Sequence, residues 1–262
     1  ADDTQGYIII KPKESWNLPL SKIEACLSEI SEWMNQNLLK LNKEKTEFII
    51  FRPRYQAQLS KEPYLQVGSS VLKPAKVVKN LGVLQDSNLT MEKQVNAIIR
   101  SCYHQIRIIG RARKDITTEA CRTLVQATVI SRLDYANVLL YGLPQTLLDK
   151  LQRLQNSAAR LISRTRKFEH ITPVLIGLHW LPVTYRLQYK VLLYTYKSLN
   201  GTLPSYISEL VEKHQPGRQL RSASKQLLIV HKARTITYGD RSFRIAAAKL
   251  WNQLPDWIRS AD

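Results

Sequence analysis

The chain has 262 residues, 44% of them hydrophobic, and a net charge of +18 from 39 Lys/Arg against 21 Asp/Glu. That length supports one or two compact units with a sizeable core, and the cationic excess excludes an acidic tail and favours a polyanionic partner, nucleic acid or anionic lipid. No apolar run reaches the ~18 residues of a bilayer span, no signal-peptide pattern opens the chain, and Cys26, Cys102 and Cys121 lack zinc-knuckle or disulfide-framework spacing, which fits a reducing compartment.

The chain opens Ala1-Asp2-Asp3 rather than with Met, as a processed chain or a piece of a longer one would. The apolar run Tyr7-Ile8-Ile9-Ile10 predicts a short buried strand. Ser21 with Glu24 forms a capping-box signal. Ile23, Leu27, Ile30, Met34 and Leu38 then recur at helical spacing, so a helix is expected over 22–39. Phe48-Ile49-Ile50-Phe51 predicts a second buried strand closed by Pro53. Residues 64–67 and 71–72, separated by Gly68-Ser69-Ser70, predict a hairpin, and residues 77–83 a further strand. A boundary is expected near Asp86–Thr90, where a polar stretch interrupts the pattern.

Charge is unevenly distributed. Residues 1–88 carry 12 Lys/Arg against 10 Asp/Glu, and residues 89–262 carry 27 against 11. The basic part is patterned for helices. Over 92–113, Val95, Ile98, Cys102, Ile106 and Ile109 gather on one side of a helical wheel, and Lys93, Arg100, Arg107, Arg111 and Lys114 on the other. Residues 145–164 repeat the scheme, with Leu147, Leu151, Leu154, Ala158 and Leu161 beside Lys150, Arg153, Arg160 and Arg164. A third amphipathic run, 185–199, carries Arg186, Lys190 and Lys197. Residues 214–225 read as a polar, basic linker.

A single charged stripe is usually a solvated face. Solvated faces mix signs, however, because like charges at i,i+4 are destabilising by a few tenths of a kcal/mol. Three successive helices with nearly unmixed basic faces point to a phosphate backbone that relieves the repulsion. Asp2 and Asp3 have their own ambiguity. Adjacent carboxylates before a strand suit Mg²⁺, which prefers carboxylate oxygen and water, yet an acidic pair at a chain start is also ordinary exposed loop.

The ordered series of motifs carries a resemblance. Ala1-Asp2-Asp3, a helix containing Trp33, Leu39-Lys40-Leu41-Asn42-Lys43-Glu44-Lys45-Thr46-Glu47 and Leu81-Gly82-Val83 together resemble the late palm of a reverse transcriptase of the LINE type, in the jockey-like clades of non-LTR retrotransposons. The similarity continues through Ser131-Arg132-Leu133-Asp134-Tyr135, Leu140-Tyr141-Gly142-Leu143-Pro144 and Leu154-Gln155-Asn156-Ser157-Ala158-Ala159-Arg160. It extends to His179-Trp180-Leu181-Pro182-Val183 with Arg186, Tyr238-Gly239-Asp240-Arg241-Ser242-Phe243 and Leu250-Trp251-Asn252-Gln253-Leu254-Pro255.

The resemblance implies an α+β chain: a truncated reverse-transcriptase palm piece over 1–88, a mainly helical, thumb-like nucleic-acid-binding region over 89–213, and a linker with a C-terminal extension over 214–262. It implies that Asp2, with Asp3 in support, holds Mg²⁺ together with an aspartate from a palm strand outside this sequence. That metal would acidify a primer 3′-hydroxyl and stabilise the charge leaving with pyrophosphate. Lys45 would face the leaving phosphate or, equally, cap the turn before 48–51. Gly82 would allow close approach to the primer or mark a bulge. Arg100, Arg107, Arg111, Lys150, Arg153, Arg160 and Arg164 would follow the phosphates of an RNA template and DNA primer, or of their hybrid. His179 and Trp180 would stack on a base or pack in the core.

On this reading the chain is a fragment of an RNA-directed DNA polymerase, expected to be inactive alone. It would act inside the cell, in cytoplasm and nucleus, as a ribonucleoprotein, with no membrane partner. A non-catalytic nucleic-acid-binding module and an inert scaffold fragment derived from such an element remain the alternatives.

Overall fold

The computed structural model describes residues 4–11, 15–53, 63–68, 70–214, 226–233, 235 and 238–260. The described residues are mostly helical, with two small two-stranded antiparallel sheets, an α+β composition. The chain divides into two compact units, Ala1–Thr90 and Met91–Asp262.

In the first unit, helix α1 spans Asn17–Gln36. It starts earlier than the capping box suggests. Pro19 fits the first turn, where its missing N–H would have no intrahelical partner anyway, and Ser21 Oγ donates to Leu18 O rather than capping. The helix closes in a Schellman arrangement: Leu39 N–H donates to Met34 O at 2.8 Å and Leu38 N–H to Asn35 O at 3.2 Å. The closure puts Leu38 at φ +58° and leaves it 96% exposed. Leu38 therefore leaves the apolar seam expected of it.

Strands β1 (Leu65–Val67) and β2 (Ser70–Leu72) pair antiparallel, with Leu65 opposite Leu72. Leu65 and Val67 are buried, β1 lies against α1, and Glu24 Oε1 accepts the Gln66 N–H at 2.7 Å. Strands β3 (Val77–Asn80) and β4 (Val83–Asp86) form a second hairpin. The single strand expected over 77–83 thus folds back on itself. Leu81 (φ +43°) and Gly82 (φ +83°) both adopt positive φ, the signature of a type I′ two-residue turn. Beyond β4, the Asp86 carboxylate accepts from the Asn88 N–H, the Thr90 N–H and the Thr90 hydroxyl, which organises the polar stretch.

Two other expected strands are corrected. Residues 7–10 form no ladder among the described residues, and Tyr7 is 91% exposed. Residues 48–51 make only an isolated parallel bridge, Ile49 to Ala75, with Phe51 exposed. An apolar run becomes a strand only where a neighbouring edge accepts its backbone groups. Among the described residues that partner is absent for 7–10 and a single residue long for 48–51.

The second unit is built on α2 (Glu92–Ala112), α5 (Gln145–Ser163), α7 (Val183–Leu199) and α9 (Phe243–Gln253). Between α2 and α5 the chain forms α3 (Thr118–Val125), one π-helical turn (Gln126–Ile130) and α4 (Ser131–Asp134), followed by a 3₁₀ turn (Asn137–Leu140). Thr117 caps α3 by accepting from the Ala120 N–H at 3.1 Å. Short helices α6 (Thr172–Gly177), α8 (Ser205–Ser208) and α10 (Asp256–Arg259) complete the set.

The core is formed by the apolar seams read from the sequence: Val95, Ile98, Cys102 and Ile109 of α2, and Leu147, Leu151, Leu154 and Ala158 of α5, are all buried. Each buried Leu or Ile contributes about 1.5–3 kcal/mol. Ile106 and Leu161 are half-buried at the margin. Helix α7 packs on α5, α9 and the 3₁₀ turn. Residues 215–225, most of the expected linker, lie outside the described residues. Its flanks pair through Lys213 and Leu228, where His214 N–H donates to Leu227 O at 2.8 Å. No helix among the described residues is long and apolar enough to cross a membrane.

Candidate nucleic-acid interface

Helices α2 and α5 pack side by side, and the Tyr103 hydroxyl lies 3.3 Å from Ser157 Oγ across their seam. Residues three and four apart share a helix face. Arg100 and Arg107 flank Tyr103 at i−3 and i+4, and Arg153 and Arg160 flank Ser157 at i−4 and i+3. The two basic stripes therefore border one seam. No acidic residue occurs between Glu92 and Asp115 on one helix, nor between Asp149 and Glu169 on the other.

The arginines are not equivalent. Arg100, Arg107, Arg111 and Arg153 are exposed, and Arg107 Nε donates back to Tyr103 O at 3.3 Å. Lys150 is half-buried. Arg160 donates to the carbonyls of Arg166 and Glu169, the latter at 2.8 Å, so its guanidinium braces the turn after α5. Arg164 caps α5 with φ +57° and donates to Arg113 O at 3.0 Å. Arg160 and Arg164 thus do structural work that a uniform phosphate-facing stripe does not anticipate.

Arg113 escaped the sequence analysis. It is buried at the end of α2 and donates to Leu161 O (2.9 Å), Ile162 O (2.8 Å), Ile116 O (3.1 Å) and Thr118 Oγ1 (3.0 Å). A guanidinium on the last carbonyls of α5 satisfies orphan acceptors and complements the helix dipole. Nothing in its local pattern separates it from Arg111 or Lys114; only its continuation of the α2 apolar face from Ile109 hints at an inward direction.

The quoted motifs meet one another. Asp134 Oδ2 accepts from Arg186 Nη1 at 2.6 Å. Buried Gln155 Nε2 donates to Leu181 O at 2.8 Å, and Gln152 Oε1 accepts the Val183 N–H that opens α7, also at 2.8 Å. Arg241 donates to the carbonyls of Tyr141 and Leu139, and a Cβ on Gly142 (φ +70°) would come within 2.7 Å of Arg241 Cγ. Glycine is required there for both φ and space. Trp180 N–H donates to Leu175 O at 2.8 Å. It is buried and so is not available to stack on a base, whereas His179 is exposed at φ +55°.

Of the residues expected near the catalytic turn, Asp2 and Asp3 lie outside the described residues. Among the described residues no group of three or more His, Cys, Asp or Glu could hold a metal ion, so Mg²⁺ ligation rests on the resemblance alone. Lys45 ends a 3₁₀ turn (Lys43–Lys45) with its side chain exposed. Asn42 closes that turn, its backbone and side-chain oxygens each accepting the Lys45 N–H at 3.2 Å. Gly82 is the second turn residue of the β3–β4 hairpin, and its positive φ accounts for the glycine.

No family model, curated protein or solved structure matches this chain.

Proposed function

We propose that the chain is the late part of a LINE-type reverse transcriptase, and that its second unit grips the phosphate backbones of an RNA template paired with a DNA primer. One observation carries the binding reading: the Tyr103–Ser157 contact sets the Arg100/Arg107 and Arg153/Arg160 pairs along one acid-free helix seam. Cations on adjacent helices repel one another, and counterion release from a nucleic acid offsets that repulsion. Such contacts carry no sequence information, which suits an enzyme that must copy any template. The motif series from Ala1-Asp2-Asp3 to Leu254-Pro255 supports the narrower family assignment. In that assignment Asp2 and Asp3 serve the polymerase metal, Lys45 faces the leaving phosphate and Gly82 lies beside the primer.

Binding to an RNA–DNA hybrid, titrated over a range of salt, tests the reading. Each phosphate contact contributes a slope of ~0.9 in log K against log salt on B-DNA. Changing Arg100, Arg107 and Arg111 to Gln should lower the slope by about two to three units, equally for all sequences. An unchanged slope would reduce the face to a solvated one. A loss confined to one sequence would indicate base contacts and count against a polymerase. The catalytic assignment has its own test: with the upstream palm strand joined to this chain, Asp2→Asn should abolish nucleotide incorporation.

A further inference from the structure

Helix α7 is built in three strips. Val183, Leu187, Val191, Thr195 and Ser198 are buried against the rest of the unit. At ~100° per residue, Tyr185, Tyr189 and Tyr196 fall within about 40° of one another, on the side opposite that seam. They are 59%, 53% and 44% exposed. Between the two, about 100° round from the middle of the tyrosine strip, lie Arg186, Lys190 and Lys197. Arg186 is engaged by Asp134; Lys190 is half-buried and Lys197 exposed. The helix contains no Asp or Glu.

An outer helix face ordinarily carries strong helix formers and mixed charges. Three aromatic rings there place apolar area in water, and aromatic residues also lose side-chain freedom in a helix. We propose that this face is a stacking platform for single-stranded nucleic acid, with unpaired bases on Tyr185, Tyr189 and Tyr196 and their phosphates on Lys190 and Lys197. Base stacking on aromatic rings beside a cationic track is how single strands are held without sequence preference. The charge of the unit decides for this occupant: residues 91–262 carry 27 Lys/Arg against 11 Asp/Glu, and an acid-free helix offers a phosphate strand full complementarity. The platform rests on the nucleic-acid reading above and adds to it a second, single-strand-specific surface distinct from the α2–α5 seam.

The test uses the full chain, an oligouridylate as single strand and a blunt RNA–DNA hybrid as duplex. Replacing the three tyrosines by Ala should weaken oligouridylate binding at least about tenfold, the loss of one or more stacked bases, and leave hybrid binding within about twofold. The triple Tyr→Phe variant keeps the rings and should bind like the parent. With 5-iodouridine in the oligonucleotide, irradiation should cross-link Tyr185, Tyr189 or Tyr196 in the unaltered chain, a readout that does not depend on how the Ala variant folds. Cross-links only elsewhere overturn the proposal, as does an Ala variant that binds oligouridylate like the parent. If that variant instead loses self-association while keeping its single-strand affinity, the face belongs to a second copy and the proposal fails. The two readings separate cleanly: where the Arg100/Arg107/Arg111 variant loses hybrid binding but the tyrosine variant is silent, the platform falls and the phosphate grip stands. A parent chain that binds neither probe overturns both.

Discussion

Arg113 shows how one side chain can hold several elements. Its four hydrogen bonds reach the start of α3 and the last turn of α5, and each donor is charged. Hydrogen bonds from charged groups contribute about 1.5–3 kcal/mol net, not additively, and truncation also leaves buried carbonyls unsatisfied. Arg113→Ala should therefore reduce stability by about 3 kcal/mol in urea denaturation. Arg113→Lys should recover only part, because one ammonium cannot span acceptors arranged for a planar fork. The cysteines give a second residue-scale test. Burial pushes the Cys102 thiol up to about 11, with Arg132 pulling weakly the other way, and burial also raises Cys121. A thiol whose folded pKa lies above its unfolded value disfavours the native state once the unfolded chain can ionise, because the unfolded state then releases a proton that the native state retains. Below the unfolded thiol's range both states hold the proton and the contribution is nil; between that range and the folded value of about 11 for Cys102 only the unfolded state ionises, which favours unfolding. Stability should consequently decline as pH rises from about 9 toward 11. In native buffer a thiol reagent should modify exposed Cys26 quickly and the other two only on unfolding.

At the scale of elements, leucine stands at two boundary positions whose backbone suits it poorly. Leu38 closes α1 at φ +58°, and Leu81 opens the β3–β4 turn at φ +43°. A left-handed conformation costs a branched residue roughly 1 kcal/mol or more, and glycine at the first site or asparagine at the second removes most of it. Leu38→Gly and Leu81→Asn should each stabilise the fold by about 0.5–1 kcal/mol, read as a higher urea midpoint at constant slope. The same two sites explain where sequence reading failed. Leu-Gly is not the Asn-Gly that announces a two-residue hairpin, so residues 77–83 read as one strand. A leucine in phase with Ile30 and Met34 reads as core, and only the hydrogen bonds of the closing turn reveal that it swings out. Long helices were legible because Val95, Ile98 and Cys102, or Leu147, Leu151 and Leu154, keep one period over several turns. The runs 7–10 and 48–51 were not, because a strand needs an edge that its own residues do not encode. The candidate interface was legible in part. Exposure of Arg100, Arg107 and Arg153 follows from their wheel positions, whereas the engagement of Arg160 and Arg164 with backbone carbonyls depends on turns lying beyond α5.

For the whole molecule the question is whether nucleic-acid affinity comes from net charge or from particular contacts. A charge of +18 attracts any polyanion, and at low ionic strength this attraction alone raises association. Its reach is limited to a Debye length of about 10 Å at 0.1 M salt. Charges in the nearly neutral first unit and in the strongly basic second unit should then differ in effect even when equal in number. Lys22, Lys40 and Lys73 are exposed in the first unit, as are Arg100, Arg107 and Arg111 in the second. Replacing either triplet by Gln lowers the net charge by the same amount and leaves the buried apolar residues untouched. If phosphates lie along the α2–α5 seam, the arginine triplet should lower the salt slope on an RNA–DNA hybrid by about two to three units, and the lysine triplet by less than about one. Dissociation should also be faster in the arginine variant, while the lysine variant should change mainly the association rate at low salt. Equal slopes for the two triplets would mean that binding follows total charge and that the seam has no special role.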